Sequence, residues 1–391
     1  MTTIEELQNR AQAFLKLNKP PVSSAFDTTR RETPRPKFSP FNPVLLERAL
    51  QISDQFMTLA NSESEEQQGL EKVLQQADKL GAEEDLDLVK YALMVFITHS
   101  RRGSRLPIPA LEQRSPEKFL IDRARTARFA TRRTKETELD WFREDVLANA
   151  HHEHWHVVYP RLGIPDGNGG RKIKDRQGEL FFYMHQQMLA RYDTERLAVG
   201  LDRVKPLNNY AEKISEAYDS GLEGYSARPS GLQFSDLQRD GINYTVKDME
   251  LRRDRMLDAA DNNYFETEGE GTPRTDVNAD LLGATEESSM ASVSGGGAHT
   301  SFYGNHHGFG HLFTSMIHDP RGTSPPGVMI DTATAIRDPI FYRWHKHVDD
   351  ISFRWQELQK PNDLSDRPQV LIRKSLDNSS FQSPDIILSF N

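Results

Sequence analysis

The sequence contains no cysteine among its 391 residues. This absence excludes disulfide bonds, thiolate metal ligands and a cysteine nucleophile, and it is typical of an intracellular protein. No apolar run approaches the roughly 18 residues of a membrane span, and the N-terminus "MTTIEELQNR" is acidic where a signal peptide would be basic. The formal net charge of −9 argues against a general nucleic-acid binder, which needs a basic face. We therefore expect a cytoplasmic protein without a membrane or nucleic-acid partner.

Composition and hydrophobic periodicity divide the chain into four parts. Residues 1–40 are polar and punctuated by proline, which predicts an extended arm. Residues 41–135 predict a helical N-terminal domain, and residues 136–365 predict a second helical domain. Within the second domain, residues 265–302 are rich in Gly, Ser, Thr and acids and predict a long loop. Residues 366–391 form a tail in which "QVLIRK" and "DIILSF" predict short strands.

The most informative feature is the distribution of histidine, because 12 of the 13 histidines fall in two blocks. Each block holds an H-x-x-x-H pair that is followed by a single histidine on a later predicted helix. The two sets are His152, His156 and His185, and then His307, His311 and His345. An i, i+4 pair lies on one helix face, and an imidazole from a neighbouring antiparallel helix completes a three-nitrogen site. One such pair alone is weak evidence, but two with the same layout predict a binuclear metal site in a four-helix bundle.

The ligand types narrow the choice of metal. The chain offers no thiolate, and no carboxylate occupies a predicted ligand position, so the set suits copper or zinc better than magnesium or calcium. Imidazole binds both of these metals well, and the ligands alone do not choose between them.

Several long segments of this sequence are similar to segments of a known protein family and occur in the same order. "HHEHWHVVYP", "GELFFYMHQQMLARYDTERL", "YGNHHGFGH" and "DTATAIRDPIFYRWHKHVDD" closely resemble the two metal-binding segments of the arthropod hemocyanin and prophenoloxidase family. The resemblance covers residues 37–365 and implies that the six histidines of the two sets are the metal ligands. "KFSPF" is similar to a segment of that family from which a phenylalanine reaches over the metals, and either Phe38 or Phe41 could take that place.

The resemblance implies a mainly α fold, with a helical N-terminal domain and a four-helix-bundle metal domain of the hemocyanin type. Arthropod members continue into a large C-terminal β-rich domain, whereas this sequence stops soon after the last ligand helix. We therefore expect that the domain is lacking and that a hexameric oxygen carrier is disfavoured, although another homo-oligomer is possible. In length and layout the chain is most similar to short fungal hemocyanin-like proteins of secondary metabolism such as the cyclopenases.

That similarity implies a zinc enzyme that acts on a small aromatic substrate. The reaction would be the non-oxidative ring contraction of a cyclopenin-type benzodiazepinedione to a viridicatin-type quinolone. The alternative is a binuclear copper phenoloxidase, which oxidises a phenol or catechol.

A general base is not evident in the sequence. The segment before the last ligand helix offers Asp331 and Asp338 but no glutamate, which slightly weakens the oxidase hypothesis. We predict that His306, which adjoins a ligand, assists proton transfer. His151, His154, His318 and His347 are interpreted as supporting residues rather than ligands.

Overall fold

The structure is a computed structural model in which most of the chain is described. The described residues are 2–18, 37–119, 135–269, 273–293, 297–361, 363, 365–366, 370–374 and 386–390. Residues 19–36, which are part of the predicted arm, lie outside them.

Ten helices of at least eight residues form the framework of the described part. They are α1 (Ile4–Leu15), α2 (Pro43–Asn61), α3 (Glu66–Glu83), α4 (Leu86–His99), α5 (Val146–Val158), α6 (Gln177–Ala198), α7 (Val246–Asn262), α8 (Ala279–Glu286), α9 (His306–Met316) and α10 (Pro339–Gln356). Short helical turns also occur, at Leu111–Arg114, Asp140–Arg143, Thr300–Tyr303, Gly103–Arg105, Pro116–Lys118, Lys135–Leu139, Met290–Val293, Val328–Ile330 and Ala335–Arg337. The prediction of a mainly helical protein is confirmed for these residues.

The strands are short and pair locally in the described residues. They are β1 (Ile164–Pro165), β2 (Arg171–Lys172), β3 (Leu237–Arg239), β4 (Ile242–Tyr244), β5 (Tyr264–Glu266), β6 (Arg274–Asp276), β7 (Val370–Lys374) and β8 (Ile386–Phe390). Each consecutive pair forms an antiparallel two-stranded sheet. The last pair, with Val370 opposite Phe390, confirms the two strands predicted in the tail.

Helices α1 to α4 share one hydrophobic core. Helix α4 is buried along nearly its whole length, from Leu86 to Ile97, because α2 and α3 both pack against it. The prediction that residues 1–40 form an extended arm is wrong at its N-terminal end, where α1 is an amphipathic helix that buries Leu7 and Phe14. The local cause is a capping box, in which Thr3 accepts from the backbone of Glu6 and the Glu6 carboxylate accepts from the backbone of Thr3.

A second core surrounds helices α5, α6, α9 and α10, which carry the two histidine sets. Side-chain caps set where three of these helices begin. Asp145 caps α5, Asn305 caps α9 and Asp338 caps α10, where Pro339 occupies the first helical position.

The prediction of a long loop over residues 265–302 is wrong. This segment contains β5, β6 and α8, and α8 packs directly against the start of α6. The two helix backbones meet at glycine: a Cβ added at Gly178 would lie 1.9 Å from the Asp280 carbonyl oxygen, and one added at Gly283 would lie 2.0 Å from the Gly178 oxygen. Gly283 therefore permits the close packing of α8 on α6.

None of the described helices has the length and apolar character that a membrane crossing requires.

Candidate metal centre

The six predicted ligands converge on one buried space between α5, α6, α9 and α10. The His185 and His345 rings stack with their centroids 4.3 Å apart. The centroids of His307 and His311 are 4.8 Å apart, and those of His307 and His345 are 5.2 Å apart. The side chains of all six residues are buried: His152, His156, His185, His307, His311 and His345. The structure thus brings together every predicted ligand, although ligand roles stay a prediction.

Candidate ligand atoms cluster in triads that link the two sets. Those of His152, His156 and His185 all lie within 4.8 Å of one another, as do those of His185, His307 and His345. His185 belongs to both triads, so the two sets adjoin one another instead of forming two separate sites.

Backbone hydrogen bonds orient four of the rings through Nδ1. Nδ1 of His152 lies 2.7 Å from the Thr332 oxygen, that of His311 3.1 Å from the Met329 oxygen, that of His185 2.8 Å from the Phe181 oxygen, and that of His345 2.8 Å from the Phe341 oxygen. A carbonyl oxygen only accepts, so Nδ1 carries the proton in each ring. The lone pair is therefore on Nε2, the arrangement found in metal-bound histidines whose other nitrogen donates to a carbonyl.

The second piece of evidence for metal binding is that most of the Nε2 atoms have no hydrogen-bond partner in the described residues. Those of His152, His156, His185 and His311 are buried and have no hydrogen-bond partner among the described residues. The remaining two, in His307 and His345, lie 3.1 Å apart. Buried acceptors without donors are costly in a folded protein. A metal ion shared by imidazole lone pairs satisfies these atoms, so the donor set fits copper or zinc.

Burial also keeps these imidazoles neutral. It lowers the pKa of His152 to about 4 and that of His185 to about 3. Burial and the neighbouring rings together hold the pKa values of the other four well below the usual 6.5. Neutral imidazole is the form that binds metals, so the folded protein presents the ligands ready for binding near neutral pH.

This neutrality predicts that the metal-free protein loses stability on mild acidification. Above pH 6.5 both states hold these rings neutral, whereas below it the unfolded chain binds protons that the native state excludes. Each such ring therefore lowers the free energy of unfolding by up to about 1.4 kcal/mol per pH unit below 6.5, until the folded pKa is reached. Urea unfolding between about pH 5 and pH 7.5 measures this slope. The His185→Gln variant should reduce the slope by about one proton, and an unchanged slope would contradict the assignment.

Phe41 lies over the metal centre, and Phe38 does not. The Phe41 ring stacks on His311 with centroids 3.7 Å apart and an interplanar angle of 12°. It also meets His156 and His307 edge-on, at 5.4 and 5.8 Å. Phe38 packs instead against Tyr91 at 5.2 Å. Of the two phenylalanines that the sequence left open, Phe41 is therefore the one that lies against the histidine rings.

His306 does not join the six rings. Its Nδ1 lies 2.7 Å from a Glu286 carboxylate oxygen, and its Nε2 lies 2.7 Å from the Tyr210 hydroxyl, which also lies 3.3 Å from Nε2 of His347. Its ring contacts in the described residues are with Trp344 and His347. Both ring nitrogens are engaged, so its role in proton transfer stays a prediction that this geometry does not favour. Neither Glu286 nor Tyr210 carried a sequence signal.

The other singled-out histidines lie away from the six. His151 and His154 are exposed, on the outward side of α5. His318 is half-buried after the end of α9.

The two aspartates that the sequence offered as acids are buried in ion pairs. Asp331 pairs with Lys118 at 2.7 Å, and Asp338 pairs with Arg228 at 2.5 Å while capping α10. The neighbouring cations Lys118 and Lys37 hold the pKa of Asp331 far below its ordinary value, although burial alone would raise it. A carboxylate paired in this way is a poor proton acceptor.

Comparison with known proteins identifies the family to which the chain belongs. The family model described as "Hemocyanin, copper containing domain" matches residues 69–352. Hemocyanin B chain of Aphonopelma sp. is 39% identical over 301 residues, which are 70% of this chain and 46% of that protein. Phenoloxidase 8 of Anopheles gambiae is 35% identical over 354 residues, 82% of this chain and 48% of that one. The chain thus spans about half the length of these curated relatives.

Solved structures share the fold. A scorpion hemocyanin in its activated state superposes with a TM-score of 0.74 at 30% identity, covering 95% of this chain and 63% of that chain. A crystal structure of AsqI with Zn superposes with a TM-score of 0.72 at 22% identity, covering 97% of this chain and 63% of that chain. Together with the family match over most of the chain, these likenesses show that the protein belongs to the hemocyanin and prophenoloxidase family.

Proposed function

We propose that this protein is a metalloenzyme that binds two metal ions through its two three-histidine sets and transforms a small aromatic molecule. One observation carries the proposal: six buried imidazoles converge, and four of them have a buried Nε2 that finds no hydrogen-bond partner in the described residues. The other two approach nitrogen to nitrogen at 3.1 Å. A site that only stabilised the fold would have these rings hydrogen-bonded through both nitrogens.

The geometry favours copper. Two groups of three histidines are present, because His185 groups with His152 and His156 and also with His307 and His345, whereas a single Lewis-acidic ion needs only three ligands. Copper also exceeds zinc in intrinsic affinity for nitrogen ligands, and a phenoloxidase is among the relatives, at 35% identity over 82% of this chain. A bound copper pair supplies the one-electron redox chemistry with which dioxygen oxidises a phenol or catechol. The preference for zinc in the sequence analysis rests on the resemblance to the cyclopenases in length and layout, and not on the ligand residues.

Zinc is the second candidate because the superposed AsqI structure contains Zn. A zinc ion held by these histidines would supply Lewis-acid chemistry, and the reaction proposed with it is a cyclopenase-type ring contraction that needs no oxygen. The unpartnered ligand nitrogens suit either metal. The copper and zinc proposals therefore differ in the reaction and not in the residues that hold the ion.

The chain's own residues determine how a substrate meets the metals. The ring of Phe41 stacks on that of His311, and the ring of Phe341 lies against that of His345, with centroids 3.9 Å apart. Such surroundings exclude water and offer edge-to-face contacts to a flat ring. An aromatic substrate and self-association remain predictions.

The discriminating experiment measures metal content and oxygen response together. We expect the copper-loaded protein to bind two ions per chain and to gain a near-ultraviolet absorption band in air that disappears when oxygen is removed. It should then oxidise 4-methylcatechol, while zinc-loaded and metal-free samples of the same preparation should not. Zinc-loaded protein that converts cyclopenin, with no oxygen response of the copper form, would instead establish the second candidate. Failure to bind either metal would overturn both.

A further inference from the structure

The segment between α9 and α10 contacts one ligand of each histidine set. The carbonyl of Met329 accepts from His311, and the carbonyl of Thr332 accepts from His152. Two residues separate these carbonyls, so one short piece of backbone orients rings on two different helices, α5 and α9. Between the two carbonyls lies Asp331.

The Asp331 side chain ties this backbone to the rest of the protein. One carboxylate oxygen lies 2.7 Å from Nζ of Lys118 and accepts from the Tyr225 hydroxyl at 2.8 Å. The other accepts from the backbone of Ala333 at 2.9 Å. Lys37 lies over the Tyr225 ring with its Nζ 3.3 Å from the centroid.

The cations come from outside the metal-bearing helices. Lys118 follows the N-terminal helices, and Lys37 precedes Phe41 by four positions. A second buried ion pair joins Arg114 to Glu153, with Nη1 of Arg114 2.8 Å from a carboxylate oxygen. Glu153 lies on α5 between the predicted ligands His152 and His156. The N-terminal part of the chain therefore reaches the metal centre through buried charge pairs.

We propose that Asp331 is a positioning residue that fixes, through the carbonyls of Met329 and Thr332, the ring orientation of one ligand in each histidine set. This inference rests on the metal centre of the proposed function. The ion pair with Lys118 and the Tyr225 hydroxyl hold the Asp331 carboxylate in place, and the Ala333 amide binds it to its own turn. The orientation of the Met329 and Thr332 carbonyls is thereby fixed. Hydrogen bonds behind a ligand set its tautomer and orientation, and their loss commonly costs 10- to 100-fold in metal affinity.

The test is Asp331→Asn, which keeps the size of the side chain but removes its charge. We expect the affinity for both metal ions, measured with Zn²⁺ against a chromogenic chelator, to fall about 10- to 100-fold. The visible absorption bands of the Co²⁺-loaded protein, which report coordination geometry, should change in shape. Glu136→Gln is the matched control, because Glu136 also pairs with cations, Arg143 and Arg196, but forms no hydrogen bond to Met329 or Thr332 in the described part of the chain. The Glu136→Gln variant should be less stable, but its metal affinity and its Co²⁺ absorption spectrum should be unchanged.

The outcomes separate this inference from the proposed function. If the unchanged protein binds no metal, the proposed function fails first. If it binds two ions and Asp331→Asn binds them with the same affinity and the same Co²⁺ spectrum, the positioning role is overturned. Should Asp331→Asn fail to fold, Lys118→Gln provides the same readout, because it removes the cation and leaves the Tyr225 and Ala333 bonds to Asp331. A spectrum unchanged in that variant would also overturn the role.

Discussion

Replacing His152 by alanine is expected to reduce the metal content of the protein from two ions per chain to one. Structural zinc binding releases about 10–16 kcal/mol through typically four ligands, so the loss of one imidazole costs about 3 kcal/mol or roughly 100-fold in affinity. Metal analysis after dialysis against a weak chelator measures the loss. Oxidation that requires both ions should fall to the level of the metal-free protein.

The chain provides a close control for this experiment. His151 is the adjacent residue on α5 but is exposed, whereas His152 is fully buried. The His151→Ala variant should retain both ions, the near-ultraviolet band and the turnover rate. Equal metal loss in the two variants would show that α5 as a whole, and not the ring of His152, is what the substitution perturbs.

Replacing Phe41 by alanine is expected to open the metal centre while lowering stability. Removing a buried phenylalanine typically costs about 3–5 kcal/mol, and here the vacated volume borders His311, on which the ring stacks. We expect azide to bind the oxidised copper form faster and bulkier catechols to be oxidised with a lower KM. Stopped-flow absorption and steady-state kinetics measure these changes beside the unfolding midpoint.

Phe38→Ala is the matched variant because it removes an equally large ring from the same segment. Phe38 contacts Tyr91 and has no ring contact with the six histidines in the described residues. It should lose comparable stability but leave azide binding and KM unchanged. If both variants speed azide binding to the same extent, loosening of residues 37–41 explains the effect, and a covering role for Phe41 is wrong.

The six clustered histidines could be predicted from sequence because their spacing expresses local geometry. Residues four apart lie on one helix face, so His152 with His156 and His307 with His311 meet whatever the tertiary detail. The same geometry also explains why His306 faces elsewhere: neighbouring helical residues point about 100° apart, so a residue beside a ligand is turned away from the metal.

Other features depend on contacts between distant residues. Helix α8 has only eight residues, and its packing on α6 depends on the close approach of Gly178 to Gly283. The carbonyls that orient His152 and His311 belong to the backbone of Met329 and Thr332, which carries no residue-type signature. In contrast, α1 was predictable, since Thr3 and Glu6 form a capping box that the prediction of an extended arm overlooked.

The ring-orienting hydrogen bonds differ in sequence range, and this difference has a consequence for assembly of the centre. His185 and His345 each bond to the carbonyl four residues earlier in their own helix, so forming α6 and α10 is enough to aim them. His152 bonds across 180 residues, which ties its orientation to long-range loop closure and its entropic cost. Two of the four oriented rings are thus aimed by helix formation alone, whereas His152 is aimed only once the fold brings Thr332 against α5.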